Sequence, residues 1–234
     1  MIAANSPSAM VAKTVTATIP IVFQSGSDPV QLGLIASLNR PGGNVTGVSS
    51  FVAALEAKRL GLLQELVPRA TVISVLVNPN FPGTAFQLRG LQEAARTLGH
   101  PIHVLNASTT TEINTAFTTI AQQHTDALLV AGDPFFASRV SQLITLAARH
   151  VVPAIYSLRE FAAAGGLMSY GTSLADAYQQ VGVYVGRILK GTKPTDLPVV
   201  QATRFEFVIN LSTAKALGIE VPPTLSARAD EIIE

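Results

Sequence analysis

Thr71-Val-Ile-Ser-Val-Leu-Val-Asn-Pro-Asn80 decides the fold. An apolar run this short, broken only by Ser74 and stopped by Asn-Pro-Asn, reads as a strand buried on both faces of a parallel sheet. Helical spacing follows at once. Over Gly83–Leu98 the residues Phe86, Leu91, Ala94, Ala95 and Leu98 share one side, and Gly99 stops the helix. The alternation then repeats toward the C-terminus. A strand is expected at Ile102–Leu105, then a helix at Thr111–Gln123 with Thr110 or Thr111 as its N-cap and Glu112 in its first turn. A strand at Ala127–Ala131 ends in Gly132-Asp-Pro and leads to a helix at Ala137–Arg149. Pro153–Tyr156, Arg159–Ala164 and Leu167–Tyr170 complete the series. Five strands and four helices between Thr71 and Tyr170 make a whole Rossmann-like lobe.

The flanks must then build a second body. Upstream, strands are expected at Ile19–Phe23 and Asn44–Val48, and a helix at Phe51–Leu66. Downstream come a long helix at Leu174–Leu189, a strand at Phe205–Asn210, a helix at Leu211–Leu217 and an irregular tail with a short helix. The expected fold is α/β, with two Rossmann-like doubly wound parallel-sheet lobes joined by a hinge. Residues 1–50 with 174–234 form the first lobe and 51–173 the second. The hinge is expected near Val48–Ser50 and Gly171–Ser173.

Composition agrees with a packed, two-lobed chain of 234 residues: 48% of them are apolar and 13% charged. No apolar stretch approaches the roughly 20 residues of a spanning helix. The formal net charge of +1 gives no field for nucleic acid or anionic lipid. The absence of cysteine excludes thiol catalysis, cysteine zinc sites and disulfides. Met1-Ile-Ala-Ala-Asn-Ser-Pro has neither the basic n-region nor the apolar h-region of a signal peptide.

Motifs of catalysis and of nucleotide binding do not occur. There is no Walker A sequence, no strand followed by G-x-G-x-x-G and no G-x-S-x-G elbow. Gly42-Gly-Asn-Val-Thr-Gly47 precedes a strand and reads as a turn. His100-x-x-His103 lacks a nearby carboxylate, and no metal or other cofactor is called for. Small polar groups collect instead in the loops expected at strand C-termini: Asn5-Ser-Pro-Ser8, Ser25-Gly-Ser-Asp28, Asn78-Pro-Asn80, Gly132-Asp-Pro134, Tyr156-Ser157 and Tyr170-Gly171. Ligands of open α/β sheets bind at that edge. Asp28 and Asp133 each precede a proline there, which also suits a turn. An aspartate holds an ammonium, and a tyrosine covers an apolar body. No nucleophile–base pair accompanies them, so binding is favoured over catalysis.

Ile19-Pro-Ile-Val-Phe23, followed by Ser27-Asp-Pro-Val-Gln-Leu-Gly-Leu-Ile-Ala-Ser-Leu-Asn-Arg-Pro-Gly-Gly-Asn-Val-Thr-Gly-Val-Ser49, resembles the ABC-transporter substrate-binding family that includes tryptophan-binding lipoproteins. Leu60-Gly-Leu-Leu-Gln-Glu-Leu-Val-Pro68, Val77-Asn-Pro79, Gly165-Gly-Leu-Met-Ser-Tyr-Gly171, Gly186-Arg-Ile-Leu-Lys-Gly191 and Phe205-Glu-Phe-Val-Ile-Asn-Leu211 extend the likeness over nearly the whole chain. It implies the type I periplasmic-binding-protein fold and a periplasmic or lipid-anchored protein that hands a small solute, an amino acid or related carboxylate, to ABC permease subunits. It also implies that Ser6, Ser8 and Asp28 line the pocket in the first lobe, and Asn78, Asn80, Asp133 and Tyr156 in the second, with Tyr170 near the hinge return. Family members carry a signal peptide and about two more βα units before Met1, so the resemblance implies an incomplete first lobe, open to self-association at its sheet edge and helix faces. Two other readings of the fold are a sensory or regulatory ligand-binding module and a racemase- or lyase-like enzyme. A repressor is disfavoured because no basic helix-turn-helix segment is present.

Overall fold

The computed structural model describes residues 2–50 and 55–234. In chain order the elements are β1 (Ile2–Asn5), α1 (Ser6–Val15), β2 (Ile21–Ser25), β3 (Val45–Ser49), α2 (Glu56–Leu66), β4 (Ile73–Val77), α3 (Thr84–Leu98), β5 (Ile102–Asn106), α4 (Thr110–Gln122), β6 (Ala127–Val130), α5 (Pro134–Ala137), α6 (Val140–Arg149), β7 (Ala154–Tyr156), α7 (Arg159–Ala163), β8 (Met168–Thr172), α8 (Leu174–Leu189), β9 (Val200–Gln201), β10 (Phe205–Asn210), α9 (Leu211–Ala216), α10 (Pro223–Ser226) and β11 (Glu231–Ile233). They divide into two compact units, Met1–Val52 with Thr172–Arg204, and Ala53–Gly171 with Phe205–Glu234. The chain therefore passes between units three times.

The second unit is a seven-stranded sheet in the order β11-β10-β8-β7-β6-β4-β5. Its block from β5 to β8 is parallel throughout. Alternation along each strand explains the two covers. Val75, Val77, Leu129 and Ile155 point into one core with Leu60, Leu63 and Leu66 of α2 and Leu91 and Ala95 of α3. Leu76, Leu128, Val130 and Ala154 point the opposite way, into a core with Ile113, Phe117 and Ile120 of α4 and Leu143 of α6. Because both faces are dry there, the central strands β4, β6 and β7 read in sequence as short apolar runs, broken only by Ser74 of β4. The expected doubly wound lobe is observed.

The first unit holds the parallel sheet β1-β2-β3-β9. Ile21 and Phe23 face Ala9 and Ala12 of α1, whereas Val22 faces Ala177, Val181 and Tyr184 of α8. At Gly47 the two strands approach so closely that an added Cβ would land on the Phe23 backbone, carbonyl included.

Several boundaries differ from expectation for local reasons. Residues 205–234 belong to the second unit and not to the first. β10 runs antiparallel to β8, since Asn210 N–H donates to Leu167 O while Ser173 N–H donates to Arg204 O, and β11 pairs with β10. The tail thus ends in a strand where a helix was expected. A bidentate Arg159–Glu231 pair and an Arg228–Glu65 pair, in which Nη1 donates to both carboxylate oxygens, tie it down, with N–O distances of 2.5–3.0 Å. The α4 N-cap is Thr109, whose hydroxyl accepts from Glu112 N–H while the Glu112 carboxylate accepts from Thr109 N–H. The helix expected at Ala137–Arg149 is two helices, because Asp133 caps α5 and the chain turns again at Arg139. Residues 51–54 of the expected helix Phe51–Leu66 lie outside the described residues.

Gly47→Ala should lower the unfolding free energy by about 1–3 kcal/mol or more, because the β2–β3 backbones must separate to admit a methyl group. Chemical denaturation checks this, and an unchanged midpoint would show that the strands are not so closely apposed.

Candidate functional site

The second unit gathers polar groups at the carboxyl ends of β4 and β6. Asn78 follows β4 and Asp133 follows β6; both are 9% exposed. Asn78 Nδ2 donates to Asp133 Oδ2 at 3.2 Å, and its Oδ1 accepts from Asn80 N–H at 3.0 Å. Asp133 Oδ1 accepts from Phe136 N–H at 3.1 Å, the α5 cap. A carboxylate offers about four lone-pair sites, and these bonds leave acceptor capacity for an ammonium or another donor. Burial pushes this carboxyl above the usual carboxylate range, against the opposing pull of the Phe136, Asn78 and Phe135 hydrogen bonds. A carboxylate kept where ionisation is costly is the mark of a group held for a partner rather than for stability.

Beneath that pair lies a network that the strand-end reading did not find. Glu56 and Arg59, in the first turn of α2, are both fully buried and form an ion pair. Arg59 Nε donates to Glu56 Oε2 at 3.1 Å and Nη1 donates to Tyr170 O at 2.9 Å. Glu56 Oε1 accepts from Gly132 N–H at 3.0 Å, and Gln87 Nε2 donates to Gly132 O at 2.7 Å. Nothing in the local sequence marks these residues: Glu56-Ala-Lys-Arg59 reads as an ordinary solvated helix turn.

In the first unit a chain of serines occupies the ends of β1 and β2. Ser6 Oγ donates to Ser25 Oγ at 2.8 Å, and Ser25 Oγ donates to Ser27 O at 2.6 Å. Ser27 Oγ is buried with no hydrogen-bond partner among the described residues. Gln24 Nε2 donates to Ser50 Oγ at 2.7 Å. Asp28 Oδ1 accepts from the N–H groups of Val30 and Gln31 at 2.8 and 3.3 Å, so one carboxylate oxygen closes a turn.

The expected residues therefore fare unequally. Asn78 and Asp133 come together, and Ser6 joins Ser25 and Ser27, which were legible as part of a polar loop. Ser8 and Asn80 are exposed, and their backbone N–H groups close turns onto Asn5 and Asn78. Tyr156 is 1% exposed and stacks on Phe161 at 4.6 Å within the α4–α6 core. Burial raises its hydroxyl pKa. A strand-end tyrosine points to whichever face its register dictates, and here that face is core. Tyr170 is half-buried against Phe205 and Phe207, with ring centroids 6.3 and 6.2 Å away.

The profile of the ABC transporter substrate binding protein family matches residues 1–233. The chain belongs to that family. A tyrosine-binding protein of Clostridioides difficile is 30% identical over 218 residues, which is 93% of this chain but only 62% of that relative's length. Among solved structures, an ABC domain from Streptococcus pneumoniae in complex with L-Trp superposes with a TM-score of 0.89 at 26% identity, covering 100% of this chain and 80% of the other. A ligand-free, open substrate-binding protein with adhesive properties from Clostridium difficile matches with a TM-score of 0.68 at 29% identity, over 100% and 77% of the two chains. The fold is that of the type I periplasmic-binding proteins. Members of this family are substrate-binding proteins, not enzymes, which sets aside the racemase or lyase reading.

The raised Asp133 pKa has a definite sign. Between its unfolded and folded pKa values the folded chain holds the extra proton, so stability declines as pH rises through that window. Relative to Asp133→Asn, the wild type should lose stability as the pH rises from about 4, the ordinary aspartate value, through the raised pKa of the folded chain. Thermal unfolding of both proteins across that range tests it, and parallel curves would contradict a buried, destabilised carboxylate.

Proposed function

We propose that this protein is the extracytoplasmic receptor of an ABC importer and captures an amino acid. The observation that carries the reading is the Asp133 carboxylate, buried beside Asn78 at a strand-end edge and still able to accept further hydrogen bonds. An α-ammonium supplies the missing positive charge and donors. The Ser27 hydroxyl of the first unit, which has no hydrogen-bond partner among the described residues, suits the α-carboxylate as a donor, and Ser6 braces that loop through Ser25. The aromatic faces of Tyr170 and Phe205 suit an aromatic side chain. The tryptophan complex and the tyrosine-binding relative support the same choice.

In this reading, ligand favours closure about the three chain crossovers, and the permease subunits read the closed form. Asp28 contributes through its turn, and Asn80 and Ser8 by holding loop backbone.

Thermal-shift measurements with the amino acids test the proposal. L-tryptophan or L-tyrosine at 100 times its dissociation constant should stabilise the chain by about 2.7 kcal/mol. In Asp133→Ala the shift should vanish while cooperative unfolding remains. No shift from any amino acid would sink the reading, and a full shift in Asp133→Ala would remove that residue from the site.

A further inference from the structure

Gly132 has no side chain, yet both its backbone polar groups, one in each of the peptide units that flank it, are gripped by side chains from two different helices. Its N–H donates to Glu56 Oε1 of α2 at 3.0 Å, and its carbonyl accepts from Gln87 Nε2 of α3 at 2.7 Å. Gln87 Nε2 also donates to Glu56 Oε1 at 3.3 Å. Arg59 completes the frame: Nε donates to Glu56 Oε2, while Nη2 faces Oε1 as an ion pair out of hydrogen-bond alignment. Its Nη1 reaches the carbonyl of Tyr170, two residues before the chain leaves this unit at Thr172. Four segments far apart in sequence therefore meet in one polar knot.

An apolar packing of equal volume would hold α2 and α3 together at least as well, because a buried ion pair loses its hydration on folding. What apolar side chains cannot do is fix the direction of a peptide group. Gly132 immediately precedes Asp133, and Asp133 bonds Asn78. With Gly132 N–H and C=O both pinned, the Asp133 backbone starts from a set orientation and its carboxyl arrives at Asn78 without a search. Glu56, Arg59 and Gln87 are at most 1% exposed, too buried to touch a solute themselves.

We propose that Glu56, Arg59 and Gln87 form a positioning network that sets where Asp133 and Asn78 stand, and thereby the affinity for solute, without contacting it. The affinity clause rests on the receptor reading above; the positioning clause does not.

Gln87→Leu and Gln87→Met in the full chain remove the grip on the Gly132 carbonyl while leaving the ion pair, its charge balance and the Glu56 contact to Gly132 N–H in place. Three quantities are measured for each: the melting temperature, the carboxyl titration of Asp133 by carbon NMR without ligand, and the dissociation constants of L-tryptophan and L-tyrosine by calorimetry. Positioning predicts that the Asp133 titration moves toward the ordinary carboxylate value as the loop loosens. It also predicts a dissociation constant raised about tenfold, the equivalent of one lost buried hydrogen bond. A lowered melting temperature with Asp133 titration and both affinities at wild-type values would mean that the network merely packs, and overturns the inference. If the wild type binds neither amino acid, the receptor reading fails and the Asp133 titration alone still decides whether the network positions that carboxyl.

Discussion

Parallel pairing forces the carboxyl ends of β4, β6, β7 and β8 to a single edge of the second unit, and the polar groups gathered there follow from it. Parallel strands need crossovers, the crossovers place helices on both faces, and the covered faces leave only the strand ends open to polar chemistry. Asn78 and Asp133 lie 55 residues apart in sequence, yet a 3.2 Å hydrogen bond joins them because β4 and β6 are hydrogen-bonded neighbours. The same rule in the smaller sheet brings Ser6, after β1, to Ser25 at the end of β2.

The polar groups at these edges carry an energetic cost that the apolar cores offset. Asp133 is held above its ordinary pKa by burial, and Glu56 and Arg59 are stripped of water altogether. Neither feature serves stability well, since a buried charge is at best balanced by its partner. Both make sense if geometry is what is being preserved. Tyr170 ties the two themes together. Its carbonyl holds Arg59, its ring lies against Phe205 and Phe207, and it stands next to the point where the chain crosses units.

Element type and order were largely legible. The short apolar runs at 73–77 and 127–130 are strands, the 3.6-residue spacing at 84–98 is a helix ended by Gly99 in a left-handed conformation, and α8 spans Leu174–Leu189 as its periodicity implied. The errors share a cause. β9 has two residues and β11 three, too few for periodicity to register, and both exist because a neighbouring strand offers its backbone. Pairing of β11 with β10 is what carries 205–234 into the second unit. Tyr156 faces core rather than solvent because register alone decides where a strand-end tyrosine points, and local sequence does not state it.

The family, the α/β class and the position of polar loops at strand ends were determined by the sequence itself, because turn residues and apolar periodicity are local properties and the long Asp-Pro to Gly-Val-Ser stretch is specific. Which of those polar residues meet was decided only by the tertiary structure. Asp133 and Asn78 become a pair, Ser8 and Asn80 face solvent, and Glu56, Arg59 and Gln87 become a buried frame around Gly132. The physical reason is that burial and hydrogen bonding between segments depend on strand order and helix docking, and these are set by the packing of the whole chain rather than by any window of it.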